Sequence, residues 1–144
     1  MFTTFLNIPV NAKDIIHKSE ARRVNAKTSV HNMIHLIVTT AYGEMRQNPS
    51  FGCDIWRFDF ENIYNLNAFK EEMRKSLQNT IKSNEKRLVN VSIDLQIEQV
   101  EVMSRVRNKR IKTRISFVLN GTLEKTNELF THQELFFIGP LSYY

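Results

Sequence analysis

Two histidines stand four residues apart in the run His31-Asn32-Met33-Ile34-His35. On a helix that spacing sets both imidazoles on one face, as zinc sites use. Asn32 occupies the place where a metalloprotease carries its glutamate, and no third ligand follows. A solvated histidine pair is the favoured reading. Glu44, Asp54, Asp59 and Glu61 gather within an aromatic-rich stretch. A glycosidase needs two carboxylates across a sugar cleft, one of them with a raised pKa. A charged loop of this size supplies such pairs by chance, so surface charge is the favoured reading. Cys53 is the only cysteine. It cannot form an internal disulfide, which fits a reducing compartment, and with no base beside it buried filler suits it better than nucleophile. There is no Gly-rich phosphate loop and no Gly-x-Ser-x-Gly elbow. These residues support an enzyme poorly, a lysozyme-like muramidase using Glu44 or Glu85 being the rival reading, and point to no cofactor, metal or small-molecule substrate.

Charge offers a different kind of chemistry. Glu85-Lys86-Arg87 places three charged residues at a change of hydrophobic period. A surface loop could carry them idly; a docking site would need them. A second cluster comprises Arg105, Arg107, Lys109, Arg110, Lys112 and Arg114, within a chain of net charge +5 and pI about 9.5. In a strand Arg110, Lys112 and Arg114 share one face, opposite Ile111 and Thr113. The direction of Arg105, Arg107 and Lys109, in or beside a turn, stays open. A nucleic-acid site would interleave aromatics for stacking, and Val106 is the only sizeable apolar residue in this turn. A solvated tip, or contact with an acidic protein, fits better than nucleic acid.

The elements that must position these groups follow from periodicity. At 144 residues, 42% hydrophobic and 24% charged, the composition is that of one globular domain. Residues 1–27 lack a clear period and read as an N-terminal arm, with a short helix possible in "NAKDIIHKSEARR". Residues 28–144 read as a single α+β domain. A helix is expected over 29–42, capped by Thr28 or Ser29, burying Val30, Met33, Ile34, Ile37, Val38 and Ala41, with Gly43 ending it. The following loop is punctuated by Pro49 and Gly52 and pinned to the core by Phe51, Ile55, Trp56, Phe58 and Phe60. A second helix runs from 67 to about 84, capped by Asn67, with Phe69, Met73, Leu77 and Ile81 on its buried stripe and a Glu71–Lys75 pair outside. Val89, Val91, Ile93, Leu95 and Ile97 then alternate with polar residues as a strand. Val100 and Val102 break the phase, which a bulge near Gln99 would explain. Ile111 to Leu119 make the return strand, Asn120-Gly121 a turn, and "ELFTHQELFFI" a third strand. The fold class is α+β, N-terminal helices packed on one face of a mainly antiparallel sheet. No apolar run approaches a membrane span and the N-terminus is no signal peptide, so a cytoplasmic place without membrane insertion is expected.

The segment "TTAYGEMRQNPSFGCDIW" is more specific. It resembles the signature of the baseplate family shared by contractile phage tails and type VI secretion systems: a helix ending in Gly-Glu-x-Arg, then a Pro-x-Phe-Gly turn. Here these are Gly43, Glu44, Arg46, Pro49, Phe51 and Gly52. The family's second mark is Glu-Pro-Arg-Leu between a helix and the first long strand; Glu85, Arg87 and Leu88 match it, and Lys86 replaces the proline. The resemblance covers about residues 29–119, and the short Ile8-Pro9 arm looks more like the secretion branch. It implies a non-enzymatic role in the baseplate wedge. Partners would be other wedge proteins, met at the Glu85–Arg87 corner with Lys86, and contractile sheath subunits, whose strand adds to an open sheet edge. The basic tip with Arg105 and Arg107 is a further partner-binding candidate. Without the proline the helix could run past Glu85, leaving the relation of Glu85 to Arg87 open.

Overall fold

A computed structural model gives the fold and describes residues 4–18, 23–60, 65–103 and 109–138. A two-stranded antiparallel ribbon, β1 (Phe5–Leu6) with β2 (Arg23–Val24), brackets the short helix α1 (Ala12–Lys18). Helix α2 (Ala26–Thr39) follows, then a loop with a 3-10 turn (Ile55–Phe60), helix α3 (Leu66–Asn84), and strands β3 (Leu88–Met103), β4 (Lys109–Leu123) and β5 (Leu129–Ile138). The three long strands form one antiparallel sheet in the order β3-β4-β5. This is the α+β arrangement that the order of periods predicts.

The helices start where an asparagine can take a free backbone N–H. Asn25 accepts from the Thr28 N–H at 2.8 Å, so α2 begins ahead of the expected Thr28 or Ser29 cap. Asn65, rather than Asn67, caps α3 by accepting from the N–H groups of Asn67 and Ala68. Val30, Ile34, Ile37 and Val38 of α2 and Phe69, Met73, Leu77 and Ile81 of α3 turn inward as their spacing requires. They meet Val91, Ile93, Leu95, Ile115, Phe117, Leu119 and Phe130 on one sheet face, while Met33, Phe51 and Trp56 close the margins. Outside, Glu71 pairs with Arg74 at 2.9 Å rather than with the expected Lys75.

Two expected features lie elsewhere. The pairing of β3 with β4 runs unbroken through Gln99, and the register shift falls between Val89 and Ser92, where Asn90 takes φ +54°. Leu88 is therefore buried before the bulge and Val91 after it, with Val89 between them only half-buried. Val100 sits on the outer face. Asn120-Gly121 is not a turn either: Gly121 pairs with Phe130 inside β4, and the chain reverses over residues 124–126. A Cβ on Gly121 would come within 3.3 Å of the Val89 carbonyl oxygen. Glycine here admits the bulged neighbour rather than a hairpin turn.

Candidate functional site

The charged corner begins where α3 stops. Glu85 leaves the helical region at φ −116° and ψ 87°, although Lys86 and not proline follows it. Its N–H still donates to the Ile81 carbonyl at 2.8 Å. Lys86 stays exposed and its Nζ donates to the Lys82 carbonyl, so it, not Arg87, serves the helix C-terminus. The Glu85 carboxylate turns inward and is 2% exposed. Oε1 accepts from the backbone N–H of Arg87 at 3.0 Å and from its Nε at 2.8 Å, and Oε2 accepts from Nη2 at 2.5 Å. Nη1 of Arg87 donates to the Ser29 hydroxyl in the first turn of α2 at 2.9 Å. The Phe5 ring lies 5.0 Å from the Arg87 Cζ. One guanidinium thus ties α3, β3, α2 and β1 together. The Glu85 hydrogen bonds push the guanidinium further above its usual range, against a smaller opposing effect of burial. A side chain held this way has little rotamer freedom left to lose on meeting a partner.

Glu85 cannot bind a partner's cation in this geometry; its carboxylate orients Arg87. Of the five N–H groups of the guanidinium, three are used by Glu85 and Ser29, which leaves two for an outside acceptor. The Arg87 side chain is 27% exposed, so an outside acceptor can reach it.

The Gly-Glu-x-Arg segment follows α2 after a short step. The helix ends at Thr39, and Gly43, at φ +81°, lies in the turn beyond. Its N–H donates to the Pro49 carbonyl at 2.8 Å, closing the loop on itself. The Glu44 carboxylate accepts from the Ala41 N–H at 2.9 Å. Gly52, at φ +112°, passes so close to α2 that an added Cβ would stand 2.4 Å from the Thr40 carbonyl oxygen. Its own carbonyl accepts from the Thr80 hydroxyl on α3. Trp56 Nε1 and Cys53 Sγ both donate to the Val38 carbonyl. Burial pushes the Cys53 thiol up to about 11, which makes it unreactive filler. Arg46 is exposed on the outside of the loop.

The histidines are not a solvated pair. His31 Nδ1 and His132 Nδ1 on β5 share a hydrogen bond at 2.8 Å, His132 Nε2 bonds Glu134 at 3.1 Å, and His35 bonds the other Glu134 oxygen. Burial, then His132 and Lys27, lower the pKa of His31. Burial would raise that of Glu134, but the hydrogen bonds of His132 and His35 outweigh it and lower it. His132 uses its two nitrogens in opposite directions, so the groups form a chain rather than a convergent ligand set. Among the described residues no group of three or more His, Cys, Asp or Glu could hold a metal ion.

Of the remaining candidate carboxylates, one is occupied. Asp54 pairs with Arg57 at 3.4 Å. The side chains of Phe58, Asp59 and Phe60, and the whole of Glu61, lie outside what is described. So do Arg105 and Arg107. In the rest of the basic cluster, Arg114 forms a cross-strand pair with Glu98 on the outer sheet face.

The sequence model of the baseplate wedge protein gp25 family matches residues 24–128. The chain belongs to that family. Curated protein sequences give no match. Among solved structures, the fold is similar to that of a Geobacter sulfurreducens protein named as a candidate tail lysozyme, at 20% identity and TM-score 0.57, covering 83% of this chain and 96% of that one. It is also similar to a chain of the baseplate complex from the type VI secretion system, at 15% identity and TM-score 0.53, covering 76% of this chain and 91% of the other. The gp25-family match takes in both the Gly-Glu-x-Arg loop and the Glu85–Arg87 corner, and it begins at the second residue of β2.

Proposed function

We propose that this chain is a structural, TssE-like component of a type VI secretion baseplate, joining wedge proteins at Arg87 and lending a sheet edge on which a sheath strand adds to start sheath assembly. The observation that carries the reading is the guanidinium set by a buried carboxylate, with two N–H groups left for a partner. An arginine so held recognises a carboxylate with direction as well as charge. Supporting it, the outer edges of β3 and β5 pair with no other strand among the described residues. Unpaired N–H and C=O groups template an incoming strand. No described helix is long and apolar enough to cross a membrane. We place the protein on the cytoplasmic side, where its lone thiol stays reduced.

The test is Arg87→Lys in the native system. Lysine keeps the charge but loses the planar donor set. Wedge assembly and sheath formation are expected to fall, with far-UV circular dichroism unchanged. Normal sheath formation by this variant would reject the docking role. The name of the Geobacter protein calls for a control: purified chain and Glu44→Gln and Glu85→Gln variants in a peptidoglycan-release assay. We expect no release from any of them, because Glu44 is bonded to a backbone N–H and Glu85 is buried against Arg87; glutamate-dependent turnover would reverse the assignment.

A further inference from the structure

The loop behind α2 makes an excursion that adds nothing to the core. Residues 42–50 are all exposed, and the chain returns to the core margin only at Phe51. Yet the excursion is tied throughout. Besides the Gly43–Pro49 bond and the Glu44 carboxylate bond, the Glu44 N–H donates to the Ala41 carbonyl at 3.1 Å, the Asn48 N–H to the Met45 carbonyl at 3.1 Å and the Phe51 N–H to the Asn48 carbonyl at 3.0 Å. The Ser50 hydroxyl donates to Asn48 Oδ1 at 2.7 Å. At the base Ala41 bridges to Cys53. What this frame presents includes Tyr42, Met45 and Arg46. Tyr42 is 44% exposed and Met45 42%. Among the described residues Arg46 forms no ion pair: the Glu44 carboxylate bonds the Ala41 N–H, and Asp54 is paired with Arg57. Tyrosine, methionine and arginine are enriched where proteins bury surface against one another. A loop already fixed in shape loses little freedom on contact.

We propose that residues 42–50 are a second docking surface, on which Tyr42 and Met45 enter an apolar pocket of a wedge protein and Arg46 meets a carboxylate at the rim of that pocket. This rests on the reading of the chain as a wedge component. Methionine adapts its shape to an apolar pocket, and tyrosine offers an apolar body with a polar tip. A guanidinium without a partner of its own suits an outside carboxylate. A loop of this size is too small to hold a partner unaided, since stable interfaces take about 20–30 residues a side. The occupant is therefore a protein held to this chain at another contact as well, which sets aside a second copy bound through the loop alone. Ser29, which bonds the Arg87 guanidinium, and Thr39, where α2 ends ahead of the loop, stand about 15 Å apart along the helix. The two docking surfaces thus lie towards opposite ends of α2, and binding at one makes binding at the other intramolecular.

The experiment measures binding of the full chain to the purified wedge subcomplex of its own machine, at fixed salt. The variants are Tyr42→Ala, Met45→Ala, Met45→Leu, Arg46→Glu, Arg87→Lys, and Arg46→Glu combined with Arg87→Lys. Tyr42→Ala, Met45→Ala and Arg46→Glu are each expected to bind at least about 5-fold more weakly, the effect that marks an energetic anchor. Their thermal unfolding temperatures should stay at the wild-type value, because these side chains are exposed. Met45→Leu keeps an apolar anchor and should bind within about 2-fold of wild type. The combined variant should lose the product of its two single losses, as contacts this far apart add in free energy. Wild-type binding by the three loop variants, with Arg87→Lys impaired, overturns the loop surface and leaves the docking role of Arg87 standing. Weakened loop variants with Arg87→Lys normal remove Arg87 from docking and leave the loop surface. Normal binding by every variant removes both. Self-association of the free chain and binding to purified sheath subunit are measured alongside. Loss of either in the loop variants, with wedge binding intact, assigns the loop to that other occupant and overturns the proposal.

Discussion

Removing the Arg87 side chain acts on folding as well as on the proposed docking. It strands a carboxylate that is 2% exposed. Arg87→Ala is therefore expected to lower unfolding free energy by about 1–3 kcal/mol in urea denaturation, the cost of a buried charged group without its partner. This is why the lysine variant is the cleaner test of docking. Acid should act on a second set of groups. The pKa of His31 is lowered from the usual 6.5 by burial, His132 and Lys27, so the unfolded chain takes up its proton first. Stability from this group is present above that value and is lost as pH falls below 6.5 towards the lower folded value. Glu134, lowered from 4.5, adds a second loss as pH falls below 4.5. The thermal unfolding temperature should decline from pH 7 to pH 5 and again below, and His31→Gln should flatten the upper part only. The Glu85–Arg87 junction between helix and strand was legible in the sequence because its neighbours match a known pattern. The partners of His31 and His35 were not. His132 is 101 residues from His31, and only the folding of β5 under α2 brings them together.

Between α2 and α3 the loop is fixed by two glycines with different duties. Gly52→Ala meets both a positive φ and the Thr40 carbonyl at 2.4 Å, and backbone atoms cannot step aside as a flexible side chain can. The expected loss is about 2–4 kcal/mol, beyond the 1–3 typical of conformational strain alone. Gly43→Ala meets open space and only the strain of φ +81°, so about 1 kcal/mol is expected. Urea denaturation of the two variants checks the order, and equal losses would mean that the close approach to α2 does not govern the cost. Phe51→Ser, at a ring packed on the core margin, should cost about 1–3 kcal/mol. Element type was readable wherever one face is buried, because burial enforces a period of 3.6 or 2 on α2, α3, β3 and β5. Boundaries and irregularities were less so. Asn120-Gly121 has the composition of a tight turn, but Gly121 lies within β4 beside the Val89 carbonyl, where a Cβ would be tight, and that neighbour is set by register, which local sequence does not encode.

Taken whole, and among the described residues, helices cover one sheet face, and the outer edges of β3 and β5 pair with no other strand. The two edges differ in chemistry. On the open face β3 presents Ser92, Asp94, Gln96 and Glu98, a polar and acidic row of the kind that discourages strand pairing. On the same face β5 presents Leu129, Leu135 and Phe137, all exposed, among Thr131 and Gln133. An added strand places its side chains directly beside those of the edge it joins, and apolar neighbours stabilise the pair. The receiving edge is therefore expected to be β5. Leu135→Lys puts a charge in the middle of that row at an exposed position, so its cost to folding should stay within about 0.5 kcal/mol. Sheath assembly in the native system should nevertheless slow several-fold, while the matched change Gln96→Lys on β3 should leave it near normal. The opposite pattern, with Gln96→Lys slowing assembly and Leu135→Lys not, would assign the incoming strand to β3. The apolar row on β5 would then need another partner to cover it.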